Sequence, residues 1–81
     1  MRYKYIHFIK VAEKPKTSVW SCRNNSSGDE LGEVKWYPAW RQYCYFPTVQ
    51  AVYSDGCLKD ISSFIQSMNK PSSPTNNEPQ P

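Results

Sequence analysis

The chain has 81 residues and a formal net charge of +3, and three Trp, six Tyr and three Phe make 15% of it aromatic. This length allows one domain, and the composition excludes a multi-domain enzyme, a repeat solenoid, a membrane-spanning protein and a coiled coil. The small positive charge permits an anionic partner without requiring one.

Two alternating segments near the start predict a β-hairpin. Residues 3–11 and 17–24 show the two-residue alternation of strands, and in residues 3–11 both faces are partly apolar. The charged segment 13–16 contains Pro15 and separates the two strands as a turn. The residues of this hairpin that are expected to point into the core are Ile6, Phe8, Trp20 and Cys22.

A polar loop over residues 24–29 then leads into a second predicted hairpin. Residues 31–37 and 40–46 alternate in the same way. Pro38 breaks the first of these strands and Pro47 ends the second, because proline cannot donate a hydrogen bond to a strand ladder. The residues of this hairpin that are expected in the core are Val34, Trp36, Trp40, Cys44 and Phe46.

A helix is predicted after the fourth strand. Ser54 or Asp55 supplies its N-cap, because a side-chain oxygen can accept the unpaired amides of the first turn, and Pro71 prevents its continuation. Its apolar face is formed by Leu58, Ile61, Phe64, Ile65 and Met68, with Cys57 beside them.

The predicted fold is therefore α+β. It has a four-stranded antiparallel sheet made of two hairpins, covered on one face by a C-terminal helix, in the order ββββα. We expect residues 1–69 to form this single domain and residues 70–81 to form a Pro-rich tail that buries too little apolar surface to order itself.

The opposite face of the predicted sheet combines flat rings with cations. Rings can stack on bases, while Arg and Lys can bind phosphate oxygens, so this face suits a nucleotide-type ligand or single-stranded nucleic acid. The ligand-binding residues predicted on the third and fourth strands are Lys35, Tyr37, Arg41, Tyr43 and Tyr45. The first hairpin is expected to extend this face with Tyr5, His7, Val19 and Arg23.

Two other interpretations of this face stay open. Tyr and Arg are enriched at protein interfaces, so the same residues could bind a host protein or a second copy of the chain. Cross-strand pairs of tyrosine with a cation also stabilise exposed sheets that bind nothing. Because a domain of this size is marginally stable alone, we expect a homo-oligomer.

Nothing in the sequence predicts catalysis, a metal or a cofactor. Cys22, Cys44 and Cys57 lack close spacing, so we expect three free thiols and no zinc site. His7 has no nucleophile or carboxylate placed beside it by local spacing, and Cys57 is expected to be a buried first-turn thiol. The first residues lead into an alternating segment rather than an apolar run, which predicts a cytoplasmic protein.

Residues 31–47, LGEVKWYPAWRQYCYFP, resemble a group of small phage and bacterial proteins with an LGx[IV]KWYxxWRQYC[FY]FP run. These proteins also end in a C-L-x-D-I-x-x-F-I helix, which residues 57–65 match. The resemblance implies a small accessory protein of a phage or mobile element, acting in the host cytoplasm where a phage encodes it. Such proteins often inhibit host factors by binding them or by sequestering nucleotide signals, which would counteract host defence.

The predicted function is that of a non-enzymatic accessory protein. Its ligand is expected to be an anionic nucleotide or single-stranded nucleic acid, bound through the face of rings and cations. The alternative is a protein interaction module that uses the same face.

Overall fold

The computed structural model describes residues 2–70 of the chain. Its elements are β1 (Ile6–Glu13), β2 (Ser18–Asn24), β3 (Glu30–Tyr37), β4 (Gln42–Pro47) and α1 (Asp55–Asn69). The predicted α+β fold with the order ββββα is confirmed. The predicted tail over residues 70–81 lies outside the described residues, apart from Lys70.

The strands form one antiparallel sheet in the order β1-β2-β3-β4, so neighbours in sequence are neighbours in space. The helix α1 packs against one face, which we call the covered face, and leaves the other, the outer face, open. The register between β2 and β3 shifts between Cys22 and Arg23, so Cys22 pairs with Gly32, Arg23 pairs with Glu30, and Leu31 has no partner in β2. Leu31 thereby joins the core, and Glu30 lies opposite Arg23.

The core lies between the covered face and α1. Phe64 of α1 stacks on Phe8 of β1, with ring centroids 4.0 Å apart and planes within 7° of parallel. Trp20 meets Phe64 edge-on at 5.3 Å. Aromatic pairs of this kind stabilise a domain by about 0.5–1.5 kcal/mol beyond the apolar area they bury. The buried residues of this core are Ile6, Phe8, Cys22, Leu31, Val34, Tyr43, Ile61 and Phe64.

The ends of α1 follow from local side chains. The Ser54 hydroxyl accepts a hydrogen bond from the N–H of Cys57 at 3.2 Å, so Ser54 is the N-cap. Leu58 is exposed, and its predicted place in the core is wrong.

Over residues 2–70, no helix has the length and apolar character needed to cross a membrane.

One carbonyl oxygen anchors the connection between β4 and α1. The carbonyl of Leu31 accepts from the N–H of Thr48 at 3.0 Å and from its hydroxyl at 3.2 Å. The hydroxyl of Tyr53 donates to the same oxygen and lies 3.0 Å from the hydroxyl of Tyr45. This carbonyl therefore ties both ends of the connection to β3.

The predicted faces of β4 are wrong, because the turn before it is longer than expected. Tyr37 pairs with Gln42, which leaves residues 38–41 in the turn. The carbonyl of Tyr37 accepts from the N–H groups of Trp40 and Arg41, at 3.1 and 2.9 Å. Arg41 has a φ of 55°, the left-handed conformation that closes this turn.

This register exchanges the two sets of β4 side chains. Tyr43 lies opposite Trp36 and Tyr45 opposite Val34, so both tyrosines are on the covered face. Cys44 and Phe46 lie on the outer face instead of the core. Trp40 belongs to the turn and is 64% exposed, while Trp36 keeps its predicted face but remains 38% exposed.

Candidate functional site

The outer face carries a group of four contacting side chains, which we call the outer-face cluster. It consists of Lys35, Tyr37, Trp40 and Phe46. The Tyr37 ring lies between the other two rings, with centroids 5.2 Å from Trp40 and 5.9 Å from Phe46. Both contacts are edge-on, at 84° and 75°. The rings therefore form a continuous apolar row that runs from the turn onto the sheet.

Lys35 supplies a charge at the inner end of this row. Its ammonium nitrogen lies 4.7 Å from the centroid of the Phe46 ring, within the range of a cation–π interaction. The same nitrogen lies 3.7 Å from a carboxylate oxygen of Glu33. The cation is thus held over the sheet by two weak, half-exposed contacts that a stronger anion could replace.

Three of the five predicted site residues lie on or beside the outer face. Lys35 and Tyr37 are members of the outer-face cluster, and Arg41 is exposed in the adjoining turn. The other two do not reach this face. Tyr43 is only 8% exposed, and Tyr45 packs against the core.

The two buried tyrosines have structural contacts. The Tyr43 hydroxyl accepts a hydrogen bond from the N–H of Ser18 at 3.1 Å, which links β4 to the start of β2. The Tyr45 ring covers Gly32, where a Cβ atom would come within 2.6 Å of it. Burial, and secondarily the hydrogen bond with Tyr53, raises the pKa of Tyr45 above its ordinary value. This phenol is therefore a neutral part of the core.

A second group of charged side chains crosses the outer face near the start of β1. The backbone of Arg2 forms an isolated antiparallel β-bridge with His7. His7 in turn pairs with Arg23 of β2, and Arg23 pairs with Glu30 of β3. Residues that pair across antiparallel strands point to the same face, so these four form a row. Tyr5, which was expected beside them, is not part of this row, since its ring lies by Gly56 of α1.

Trp40 and Phe46 are the site residues that the alternation of side chains assigned to the wrong place. Both alternating sets in residues 40–46 contain large rings, so neither set is clearly more apolar. The length of the turn before β4 decides which set lies on the covered face. That turn ends at Arg41 in a left-handed conformation, which no strong sequence signal predicts. Pro38 indicated where the turn begins but not where it ends.

The thiols are free, as expected, and the most enclosed one is chemically unreactive. Cys22, Cys44 and Cys57 are unpaired. Burial raises the pKa of Cys22 to about 11, and it also raises the pKa of Cys44. In the part of the chain from 2 to 70, no three His, Cys, Asp or Glu residues are grouped as metal ligands.

Comparison with known proteins found no matching family model, curated protein or solved structure.

Proposed function

We propose that this chain is a non-enzymatic protein that binds single-stranded nucleic acid, or a related nucleotide-type anion, on its outer face. The outer-face cluster is the observation that supports this most. Three rings in contact and a lysine lie on the face that α1 leaves open. Base–aromatic stacking contributes about 1–3 kcal/mol per base and tolerates any sequence.

Three members of the cluster have distinct roles in the proposed binding. Trp40 offers an indole that is 64% exposed, so a base can stack on it without moving the backbone. Tyr37 supports that indole edge-on from the sheet side. Lys35 exchanges its contact with Glu33 for a phosphate oxygen, which carries a full negative charge and attracts the ammonium group.

The charge distribution predicts the salt dependence of this binding. Lys35 is the one cation of the outer-face cluster, and Arg41 adds a second in the turn. For single strands, the logarithm of affinity falls by about 0.7 per neutralised phosphate for each tenfold rise in salt. The salt slope should accordingly be shallow, and stacking should supply most of the affinity.

The biological setting is part of the proposal and is supported by the resemblance alone. A small phage-type accessory protein with such a surface would act by sequestration, holding a nucleotide signal or a single strand away from host enzymes. His7 and Cys57 have no role as catalysts in this proposal. The His7 ring instead contacts an asparagine side chain.

The second candidate function is protein binding through the same surface. It is favoured by the position of Trp40 at the tip of a hairpin, next to Arg41 and Tyr37. These three residue types dominate the binding energy of many protein interfaces. A second copy of the chain is one such partner.

Fluorescence anisotropy with a labelled oligothymidylate tests the first candidate. Trp40→Ala should weaken binding about tenfold or more, because one stacked base is lost. Trp36→Ala is the matched control, since Trp36 is also partly exposed but lies on the covered face. Equal affinity of wild type and Trp40→Ala would refute nucleic-acid binding through this cluster.

Light scattering on the same samples separates the second candidate. A dimer that persists without oligonucleotide and dissociates in Trp40→Asp would identify protein binding instead. Urea unfolding of each variant shows whether a loss of binding reflects a loss of fold.

A further inference from the structure

The row of Arg2, His7 and Arg23 holds two guanidinium groups that have no carboxylate partner among residues 2–70. Within residues 2–70, no carboxylate oxygen lies within 4.0 Å of either group. Arg23 and Glu30 pair in the register, but a Glu30 oxygen accepts the Ser21 hydroxyl at 2.8 Å instead. Arg2 and Arg23 both pair with His7, one on each side, so an anion above His7 would be attracted by both cations.

The Arg23 side chain is held in a fixed position. Its Nε donates to the hydroxyl of Ser21 at 3.0 Å, and Ser21 is only 1% exposed. This bond leaves the two outer nitrogens of the guanidinium without a hydrogen bond to residues 2–70. A guanidinium fixed at Nε can present both outer nitrogens to an oxyanion with little loss of side-chain entropy.

Asn25 orients the other two members of the row. Its Nδ2 donates to the carbonyls of Tyr3 and Lys4, at 2.9 and 3.1 Å, which fixes its Oδ1 on the opposite side. That oxygen accepts from Arg2 at 3.0 Å and from Nδ1 of His7 at 2.6 Å. Because Oδ1 can only accept, Nδ1 of His7 carries a proton, and Nε2 remains available to a ligand.

We propose that Arg2, His7 and Arg23 form a binding site for a phosphate group. Arg2 and Arg23 lie two pairing steps apart, about 10 Å between Cα atoms, so both guanidiniums can reach an anion above His7. A planar guanidinium matches the geometry of phosphate and can bind two of its oxygens at once. Ser21 and Asn25 are positioning residues for this site.

This inference deepens the proposed function and rests on it for the source of the phosphate, a nucleic-acid strand. Phe46 lies two strands away from Arg23 and is level with Ser21, two residues before Arg23 in β2. Standard strand spacings then put the Cα atoms of Arg23 and Phe46 roughly 12 Å apart. A short single strand can therefore place one phosphate at this site while its bases stack on the outer-face cluster.

Inorganic phosphate tests the site without the rings, because it cannot stack. Heteronuclear NMR of the full chain should show saturable shifts of the Arg23 Nε–H and of the Asn25 side-chain amide. Chloride at equal ionic strength should not reproduce these shifts. Arg23→Gln should weaken phosphate binding about tenfold, and Lys59→Gln, which removes an exposed cation of α1, should leave it unchanged. Arg2→Gln is a second test variant. Because Arg2 is exposed, we expect this variant to fold, so a loss of phosphate binding in it would not be due to misfolding.

Oligothymidylates with and without a 5′-phosphate distinguish the two proposals. Tighter binding of the phosphorylated strand, lost in Arg2→Gln, supports a phosphate site used by nucleic acid. If inorganic phosphate binds but neither oligonucleotide does, the site stands and the proposed function is wrong. If oligonucleotides bind through Trp40 while phosphate causes no saturable shift and the arginine variants bind normally, the phosphate site is refuted.

Discussion

The side-chain amide of Asn69 hydrogen-bonds both backbone groups of Tyr43. Its Oδ1 accepts from the Tyr43 N–H at 2.6 Å, and its Nδ2 donates to the Tyr43 carbonyl at 3.2 Å. Tyr43 is in β4, an edge strand, so the amide occupies the position that a fifth strand would take. The last residue of α1 thus protects the edge of the sheet and joins helix to sheet.

Removal of this amide should destabilise the domain and expose the edge. Asn69→Ala loses two hydrogen bonds to backbone, and we expect the free energy of unfolding to fall by about 1–3 kcal/mol. Gln66→Ala, at an exposed position of the same helix, should change it by less than about 0.5 kcal/mol. Urea unfolding followed by tryptophan fluorescence measures both, and equal midpoints would contradict the interpretation.

Glycine is required at position 32 by close packing. A Cβ there would lie 2.6 Å from the Tyr45 ring and 2.8 Å from the carbonyl oxygen of Phe46. Gly32→Ala should therefore lower the free energy of unfolding by about 1–3 kcal/mol, because backbone must move. Thermal unfolding followed by circular dichroism gives the measurement.

The same substitution at position 56 serves as the control for Gly32→Ala. Gly56 is in the first turn of α1, and a Cβ there would lie 3.1 Å from the edge of the exposed Tyr5 ring and 3.8 Å from the Ser54 hydroxyl, with no backbone atom closer. Gly56→Ala should be neutral or stabilising by up to about 1 kcal/mol, since alanine favours helix. A loss at position 56 as large as at position 32 would argue against the packing explanation.

Stability should fall as the pH rises from about 9 to about 11. The folded state raises the pKa of the Cys22 thiol from 9.0 to about 11 through burial. The contribution of the neutral thiol is complete below the unfolded pKa. It is lost as the pH rises through the folded pKa, because the unfolded chain then releases its proton first. The loss should be on the order of 1–3 kcal/mol.

Cys22→Ala should make the free energy of unfolding fall less steeply above pH 9, although the variant is less stable at neutral pH because of the cavity. Urea midpoints measured at several pH values give this pH dependence. Part of the fall should remain, since burial also raises the pKa of Tyr45. An unchanged slope in Cys22→Ala would show that this thiol does not titrate as proposed.

Tyr43→Phe should separate a structural tyrosine from the binding surface. The variant loses the hydrogen bond from the Ser18 N–H, and we expect a loss of about 0.5–1.5 kcal/mol in stability. Oligonucleotide affinity should stay at the wild-type value, because Tyr43 is on the covered face. Anisotropy titrations at a temperature where both proteins are folded provide the comparison, and weaker binding would place Tyr43 in the ligand site.

The element order and the first three strands could be predicted from short alternating segments bounded by turn residues. Val34 is apolar between Glu33 and Lys35, and the helix spacing of Ile61 and Phe64 is regular. In β1 both alternating sets contain apolar side chains, and Ile6 and Phe8 were still assigned to the correct face. In residues 40–46 the alternation fails, since rings occur in both sets. There the register depends on how the backbone closes at Arg41. A change of one residue in that register moves every β4 side chain to the other face.

The candidate site was accordingly only half predictable. Lys35 and Tyr37 lie on β3, whose faces were assigned correctly, so their place on the outer face followed from the sequence. The row of Arg2, His7 and Arg23 depends on a bridge before β1 and on contacts of Asn25 with distant backbone. Such contacts join residues far apart in the chain and have no local pattern.

The carbonyl of Leu31 makes the connection between β4 and α1 a local unfolding unit. Thr48 and Tyr53 both donate to that one oxygen, so breaking either contact weakens the hold on the whole segment between them. Amide hydrogen exchange at Thr48 should therefore report the opening of the segment, while α1 and the sheet remain folded. Two hydrogen-bonding residues at opposite ends of the segment thus share one acceptor, and the exchange rate at Thr48 measures how often that shared contact opens.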